Sequence, residues 1–359
     1  MASITLPTRR EAIAEARRQG RRIAAVLPYH YPRALLRAHG FHPVEVWGPP
    51  GVPRDEGGRH FQSYTCDIVV RATSFLMGGG LDPADVILIP HTCDALQGMG
   101  SVVADFLQPS QPVLTLYLPR SDRPSDRRYL VEELRRLSGR LASITGHEAT
   151  AADWDEAFAA EEAADLALAS LYAERSRLAV TDRGFYTAVR SREFLTAEDF
   201  VAMAAGLPRG EAPGEGVGLT LSGIVAEPLD LFDRINDAGG LVVSDDLACG
   251  ARRIYPPSDA ADPFERIAGR LIASPPDPTR GSPIEERVRM LADLMRSTGA
   301  AGLIVFDVPF CEPELFDVPL LRQHLGEAGY PVLHVEAELG GSLPHQVLTR
   351  IEAFVETLR

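Results

Sequence analysis

Eight short apolar runs, each followed by a stretch with helical character, constrain the fold of this chain more than any other feature. The runs are rich in Val, Ile and Leu and occupy residues 22–29, 43–48, 85–92, 113–119, 217–223, 241–246, 301–308 and 331–338. Near-continuous apolar runs of this length are typical of parallel strands that are covered on both faces. Strands that alternate with helices, such as those expected at 129–141 and 286–300, form right-handed βαβ units. We therefore expect an α/β fold with two doubly wound, Rossmann-like parallel-sheet domains.

The segment between the two groups of runs has no strand pattern. Residues 153–178 are rich in Ala, Glu and Leu and predict one long helix. A second helix is expected within 191–206, with Thr196 as its N-cap. Residues 207–216 contain two prolines and three glycines, which predicts a hinge. The predicted organisation is an N-terminal α/β domain (1–146), an intervening helical segment (147–206) and a C-terminal α/β domain (207–359).

The two halves resemble each other at one strand. Residues 84–95 and 300–317 each run from small residues through an apolar strand to a cysteine and an acidic residue. This similarity suggests a duplicated architecture, although two similar strand ends also arise by chance.

The charge of the chain limits its partners. It has 36 basic and 50 acidic residues and a net charge of −14. Such a field repels phosphate backbones, so we expect no nucleic-acid partner and no anionic membrane surface, while a local basic pocket for a small anion stays possible. Residues 1–22 lack the apolar core of a signal peptide, and no stretch reaches the roughly 18 apolar residues of a membrane span. We expect a cytoplasmic protein with reduced thiols.

Four cysteines, none of them in a CxxC pair, are the candidate chemical groups. Ligands in open parallel sheets bind beyond the carboxyl ends of the strands, and Cys93 and Cys311 each follow a strand. Cys66 follows a loop and opens a predicted helix. Three thiolates that converge there would suit a soft metal, although free cysteines are also commonly small buried hydrophobic residues. A zinc site of a hydrolase, made by Cys66, Cys93 and His91, is a further alternative.

Several motifs in a fixed order carry a resemblance that covers nearly the whole chain. They are YHYPRALLRAHGFHPVEVWG (29–48), SYTCD (63–67), PHTCDALQ (90–97), GLVVSDDLACGARRIY (240–255), PFCEPELFD (309–317) and RIEAFVETL (350–358). With these motifs the sequence resembles the 2-hydroxyacyl-CoA dehydratase D-component and benzoyl-CoA reductase family.

The resemblance implies a cofactor, a reaction and partners. It implies that Cys66, Cys93 and Cys311 bind a [4Fe–4S] cluster between two Rossmann-like units. It also implies a related subunit as heterodimer partner, an ATP-dependent iron–sulfur activator protein, and an acyl-CoA substrate that is dehydrated or reduced through a ketyl radical. The alternative is a non-catalytic electron-relay or scaffolding subunit of such a complex. That alternative gains support at Pro32-Arg33-Ala34-Leu35, because family members usually have an acid where this chain has Ala34.

The remaining candidates have a structural interpretation beside the functional one. Cys249 often has a counterpart in the family that is not a ligand, so we expect a structural role. Arg252 and Arg253 follow Asp246 and predict a buried turn with an ion pair, or else a contact to a coenzyme A phosphate. His91 would tune the cluster or end its strand, with Asp94 starting the next helix. The catalytic residue is unknown.

His30, after the first strand, is a candidate for an acid–base group at the rim of the cleft. The alternative is a surface histidine without a catalytic role.

Overall fold

The computed structural model describes residues 6–211 and 214–359. Parts of the predicted hinge and of the N-terminal segment, namely residues 212–213 and 1–5, lie outside the described residues. All eight predicted strands are present. They are β1 (Arg22–Val26), β2 (Phe41–Glu45), β3 (Val86–His91), β4 (Val113–Tyr117), β5 (Val217–Gly223), β6 (Gly240–Leu247), β7 (Gly302–Asp307) and β8 (Val332–Glu336).

Fourteen α-helices accompany the strands in the described parts of the chain. The helices before β5 are α1 (Arg9–Arg18), α2 (Arg33–Ala38), α3 (Asp55–Gly58), α4 (Asp67–Met77), α5 (Asp94–Ser101), α6 (Pro124–Thr145), α7 (Ala151–Ala173), α8 (Asp182–Ser191) and α9 (Ala197–Ala205). Those after β5 are α10 (Asp230–Asp237), α11 (Pro263–Ile272), α12 (Ile284–Thr298), α13 (Glu312–Glu327) and α14 (His345–Thr357). None of the helices within these described parts is long and apolar enough to cross a membrane.

The strands form two four-stranded, entirely parallel sheets. Their orders are β2-β1-β3-β4 and β6-β5-β7-β8, so the two sheets have the same topology. This arrangement confirms the predicted α/β fold with two Rossmann-like parallel sheets. Cys93 follows the third strand of the first sheet and Cys311 follows the third strand of the second, as the suggested duplication predicts.

Both faces of each sheet are covered by apolar side chains, which explains the continuous apolar runs. In the first sheet, Val26 and Leu88 pack in one cluster with Leu134 of α6. Ile87 lies on the opposite face and packs in another cluster with Met99 of α5. Because these strands have no solvated face, their sequence cannot alternate between apolar and polar residues.

The predicted helical segment, residues 147–206, contains three α-helices rather than the two expected. Helix α7 begins after its N-cap Thr150, and Thr196 caps α9 as predicted, accepting a hydrogen bond from the Asp199 backbone N–H. However, α7 ends at Ala173 instead of continuing to residue 178, and α8 was not anticipated. The sequence of α8, DRGFYTAVRS, has several residues of low helix propensity, and its buried aromatic and aliphatic face stabilises it instead. The exact boundaries 146/147 and 206/207 stay predictions.

Gly223, the last residue of β5, is expected to tolerate no side chain. Its φ is +139°, and a Cβ there would lie 2.1 Å from the backbone oxygen of Phe306 in β7. Gly223→Ala should therefore lower the free energy of unfolding by about 3 kcal/mol, since it adds overpacking to backbone strain. Gly139→Ala, in α6 where nothing lies within 4 Å of the new Cβ, should instead raise it by about 1 kcal/mol. Urea unfolding of both variants checks this; equal effects would contradict it.

Buried His42 predicts a loss of stability in mild acid. Its side chain is buried and its Nε2–H donates to the Phe194 carbonyl oxygen over 2.8 Å. Burial lowers the pKa of His42 from 6.5 to about 4, so the folded state binds a proton less readily than the unfolded state does. The contribution of His42 to the free energy of unfolding is therefore fully present above pH 6.5. It falls by about 3 kcal/mol as the pH drops to 4. His42→Gln should flatten this slope in denaturant titrations, whereas His345→Gln, at an exposed position, should not.

Candidate cysteine-lined site

A cavity of about 350 Å³ lies at the carboxyl ends of strands from both sheets. We call it the cysteine cavity, because Cys66, Cys93 and Cys311 all line it. Other lining residues come shortly after strands: Tyr29 follows β1, Trp47 follows β2 and Ile224 follows β5. The fold therefore brings together three thiols that are far apart in the sequence, two from the N-terminal half and one from the C-terminal half.

Each of the three cysteines is the N-cap residue of a helix. Cys66 precedes α4, Cys93 precedes α5 and Cys311 precedes α13. The N-terminus of a helix carries a partial positive charge and free backbone N–H groups, both of which stabilise a thiolate or another anion. Three such termini at one cavity make it a favourable place for a negatively charged group.

Cys66 and Cys311 are close enough to share a proton. Their thiols are in hydrogen-bond contact, which lowers the pKa of Cys66, and the backbone N–H groups of Ile68 and Val69 lower it further. The same contact, together with burial, raises the pKa of Cys311. Burial raises the pKa of Cys93 to about 11. Of the three thiols, Cys66 is therefore the one that loses its proton most readily.

Three aromatic side chains surround the opening of the cysteine cavity. Tyr64, Phe310 and Phe316 line it and are 58%, 42% and 75% exposed. Phe310, directly before Cys311, has a φ of +63°, which is uncommon for a residue other than glycine. The rim of the cysteine cavity is therefore aromatic and exposed.

Several neighbouring candidates lie outside the cysteine cavity. Cys249 is completely buried and does not line it, and burial raises the pKa of its thiol to about 12. His91 does not line it either. The ring of His91 contacts Tyr117 edge-on at 4.2 Å, and both of its nitrogens lack hydrogen-bond partners. The hypothetical zinc site of Cys66, Cys93 and His91 is therefore not formed. Asp94 begins α5, as expected.

The two arginines after Asp246 are buried in ion pairs, in agreement with the structural interpretation. Arg252 Nε lies 2.7 Å from Asp246 Oδ1, and Arg252 Nη1 lies 2.7 Å from Glu314 Oε1. Arg253 pairs with Glu45 and donates to the Cys249 carbonyl oxygen over 3.2 Å. Both guanidinium groups are committed to partners inside the protein.

His30 is not a surface residue, contrary to the alternative considered for it. It is 1% exposed, and its ring nitrogens face Tyr255 and Asp277. It lines a second, smaller cavity instead of the cysteine cavity. Asp277 and Tyr255 were not identified from the sequence, because the nearest candidate, His30, gives no sign of its partners some 220 to 250 positions away.

The cysteine cavity has no ready-made site for a single metal ion. Within residues 6–211 and 214–359, no group of three or more His, Cys, Asp or Glu side chains is arranged to hold one ion. The three thiols line the wall of the cavity, whereas the ligands of a single metal ion all point at one position.

Comparison with known proteins places the chain in a family. The model of the family described as "2-hydroxyglutaryl-CoA dehydratase, D-component" matches residues 28–358, so the chain belongs to this family. The resemblance inferred from the motifs is confirmed.

Individual relatives match over nearly their whole length. The chain is 26% identical to the beta subunit of (R)-2-hydroxyglutaryl-CoA dehydratase from Acidaminococcus fermentans, over 96% of this chain and 95% of that protein. It is 23% identical to the beta subunit of lactoyl-CoA dehydratase from Anaerotignum propionicum, over 94% and 92%. It is 24% identical to one of the subunits of benzoyl-CoA reductase from Thauera aromatica, over 90% and 87%. A solved periplasmic zinc-binding protein of Treponema pallidum matches with a TM-score of only 0.27 and 12% identity, which carries no argument.

Proposed function

We propose that this chain is the [4Fe–4S]-binding subunit of an enzyme that dehydrates or reduces an acyl-CoA thioester. One observation carries the proposal: Cys66, Cys93 and Cys311, from separate parts of the sequence, line one cavity, each at the start of a helix. The relatives are named as subunits of dehydratases and of a reductase for acyl-CoA substrates, which supports the reaction class.

The chemistry of the donor set fits an iron–sulfur cluster. Cysteine thiolates are the usual ligands of [4Fe–4S] clusters, and such a cluster distributes its ligands over several irons. Three thiols around one cavity suit that distribution better than they suit a single ion. When bound, the cluster would supply low-potential one-electron chemistry and an iron that has no protein thiolate.

The protein residues around the cavity would prepare the thiols for this role. The N-termini of α4, α5 and α13 offset the negative charge of the thiolates. Cysteines bind iron as thiolates, so loading of the cluster should release the protons of the three thiols. Burial of Cys66 and Cys311, which are 7% and 6% exposed, keeps water away from the ligands.

The proposal includes partners. Three of the relatives are named as beta subunits, which supports a related subunit as partner of this chain. The exposed aromatic rim of Tyr64, Phe310 and Phe316 gives a substrate or a partner direct access to the cysteine cavity. An ATP-dependent activator protein would supply the electron.

Metal analysis of the anaerobically purified chain tests the proposal. We expect about four irons and about four acid-labile sulfides per chain, the composition of one [4Fe–4S] cluster. Zinc without iron, or a protein that binds no iron after reconstitution with iron and sulfide, would contradict the proposal.

A non-catalytic electron-relay subunit is the second candidate, and Ala34 favours it. This residue stands where family members usually have an acid, and it lines the second cavity beside Glu45. Cluster spectra of the isolated chain, recorded with and without 2-hydroxyglutaryl-CoA, lactoyl-CoA and benzoyl-CoA, separate the two roles. A substrate-dependent change in the isolated chain supports direct substrate binding, whereas a change that needs the partner supports the relay.

A further inference from the structure

A second cavity lies behind the wall of the cysteine cavity. Its volume is about 50 Å³, enough to hold water, and charged side chains form much of its lining. Tyr29 lines both cavities and separates them. Asp165 and Arg270, also in the lining, have side chains that are 19% and 12% exposed, so this inner cavity reaches solvent along their side.

A continuous chain of hydrogen bonds joins the two cavities. Tyr255 lines the inner cavity, and its hydroxyl lies 2.9 Å from His30 Nδ1. His30 Nε2 lies 3.3 Å from Asp277 Oδ2, the oxygen that also accepts a hydrogen bond from the Tyr29 hydroxyl. The four side chains therefore form an uninterrupted series from the inner cavity to the wall of the cysteine cavity.

The carboxylate in the middle of this series is held firmly behind the wall of the cysteine cavity. Thr279, which lines that cavity, donates from its backbone N–H and its hydroxyl to Asp277 Oδ1 over 2.7 and 2.6 Å. Asp277 is completely buried, and Tyr29 and His30 are only 3% and 1% exposed. These three side chains are therefore isolated from bulk water, whereas Tyr255 at the other end of the series is half-buried.

The charges around the series set its protonation. Burial raises the pKa of Asp277 to about 6. Burial, and the positive charges facing His30, lower the pKa of His30 well below 6.5. The charged groups that face the two residues are Arg252, Arg253, Arg280, Arg287 and Glu314. Near neutral pH His30 is therefore neutral, with one ring nitrogen donating and the other accepting, as a relay requires.

We propose that Tyr255, His30, Asp277 and Tyr29 conduct protons between the inner cavity and the cysteine cavity. One proton enters at the Tyr255 hydroxyl, which passes its own proton to His30 Nδ1. His30 Nε2 gives its proton to Asp277, Asp277 gives one to the Tyr29 oxygen, and Tyr29 releases one into the cysteine cavity. One proton enters and one leaves, and no electron moves within the series.

This inference rests on the proposed function, in which the cysteine cavity is the place of electron transfer. A buried centre that gains an electron gains negative charge, and a proton delivered to the same cavity offsets that charge. Proton transfer through positioned side chains commonly changes rates by about 10²–10⁴-fold.

The first test uses the chain without any cluster and follows the carboxyl group of Asp277 by infrared spectroscopy. We expect a protonated-carboxyl band that disappears with a midpoint near pH 6 and that loses part of its intensity in Asp277→Asn; the remainder belongs to Asp307, whose pKa burial also raises to about 6. Tyr29→Phe should move this midpoint upward, because the hydroxyl that stabilises the carboxylate is lost.

Tyr31→Phe is the matched control. Tyr31 also lines the inner cavity, but its hydroxyl contacts Glu45 over 3.0 Å, so the midpoint should not move. A band unchanged in Asp277→Asn would overturn the proposal.

The second test measures how fast titanium(III) citrate reduces the loaded chain in water and in deuterium oxide. Tyr255→Phe and His30→Gln should each slow proton-linked reduction at least tenfold per cluster, and native reduction should be slower in deuterium oxide. Tyr255 lies at the inner cavity, away from the cysteines, so Tyr255→Phe should keep its iron. Native rates and a native pH profile in both variants would overturn the proton series and leave the proposed function intact. Absence of iron from the native chain would instead contradict the proposed function, while the infrared test still decides whether Asp277 carries the proton.

Discussion

Replacing Cys66, Cys93 or Cys311 by alanine should each reduce the iron content from about four atoms to under about one per chain. Every one of these thiols lines the cysteine cavity, and a cluster with three protein ligands cannot lose one and remain firmly held. The measurement is iron and sulfide content after anaerobic purification, together with the visible spectrum.

Cys249→Ala provides the matched control for the cysteine variants. It removes a thiol that is more buried than the other three but does not line the cavity. This variant should keep its iron and its spectrum. If Cys249→Ala lost the cluster as completely as Cys311→Ala, or if one of the three variants kept all four irons, the assignment of ligands would be wrong.

Arg287→Met should lower the free energy of unfolding by about 3–5 kcal/mol, the usual cost of leaving buried charges without a partner. Arg287 is 1% exposed. Its Nε lies 3.0 Å from Asp246 Oδ2, and its two Nη atoms lie 2.7 Å from Glu314 Oε2 and from Asp317 Oδ2. Arg252 binds the same Asp246 and Glu314, so the two arginines hold one pair of carboxylates between them.

Arg296→Met, on the same helix α12, is the control for this prediction. Its partner is Asp293 at 2.8 Å, and its side chain is 70% exposed, so its loss should cost about 1 kcal/mol or less. Denaturant unfolding of both variants measures the difference. In addition, Glu314→Gln in the Arg287→Met background should recover part of the stability, because it removes the excess negative charge that the loss of Arg287 leaves around Arg252. Equal stabilities of the Arg287 and Arg296 variants would contradict the buried network.

The network also fixes the position of a candidate ligand. Glu314 lies in the first turn of α13, three residues after Cys311. Both arginines therefore hold the start of this helix, and with it the Cys311 thiol, against the carboxyl end of the second sheet.

The central strands could be predicted from the sequence because they are buried on both faces and consist of continuous apolar runs. RIAAV in β1 and GLIVFD in β7 are examples. The order of the strands could not be read from the sequence, since nothing in an apolar run states which neighbour it pairs with. Helix α8 was missed because packing, not propensity, stabilises it.

The candidate site was only partly predictable. The positions of Cys93 and Cys311 after strands indicated the correct edge of each sheet, and the resemblance singled out Cys66. The environment of His30 could not be derived, because its partners Tyr255 and Asp277 belong to the other half of the chain. The sequence predicted helix starts at Cys66 and at Asp94, directly after Cys93, but not that Cys311 is also an N-cap residue, since cysteine is not common at that position.

The division of the three thiols between the halves has a consequence for assembly. Cys66 and Cys93 come with the first sheet and Cys311 with the second, so a fragment containing one sheet has at most two of them. An inorganic centre bound by all three thiols would link the two halves, as a covalent cross-link does. Loss of that centre to oxygen would then remove a link between the two halves as well as stop the chemistry. Restoring the centre would need the thiols of both halves together.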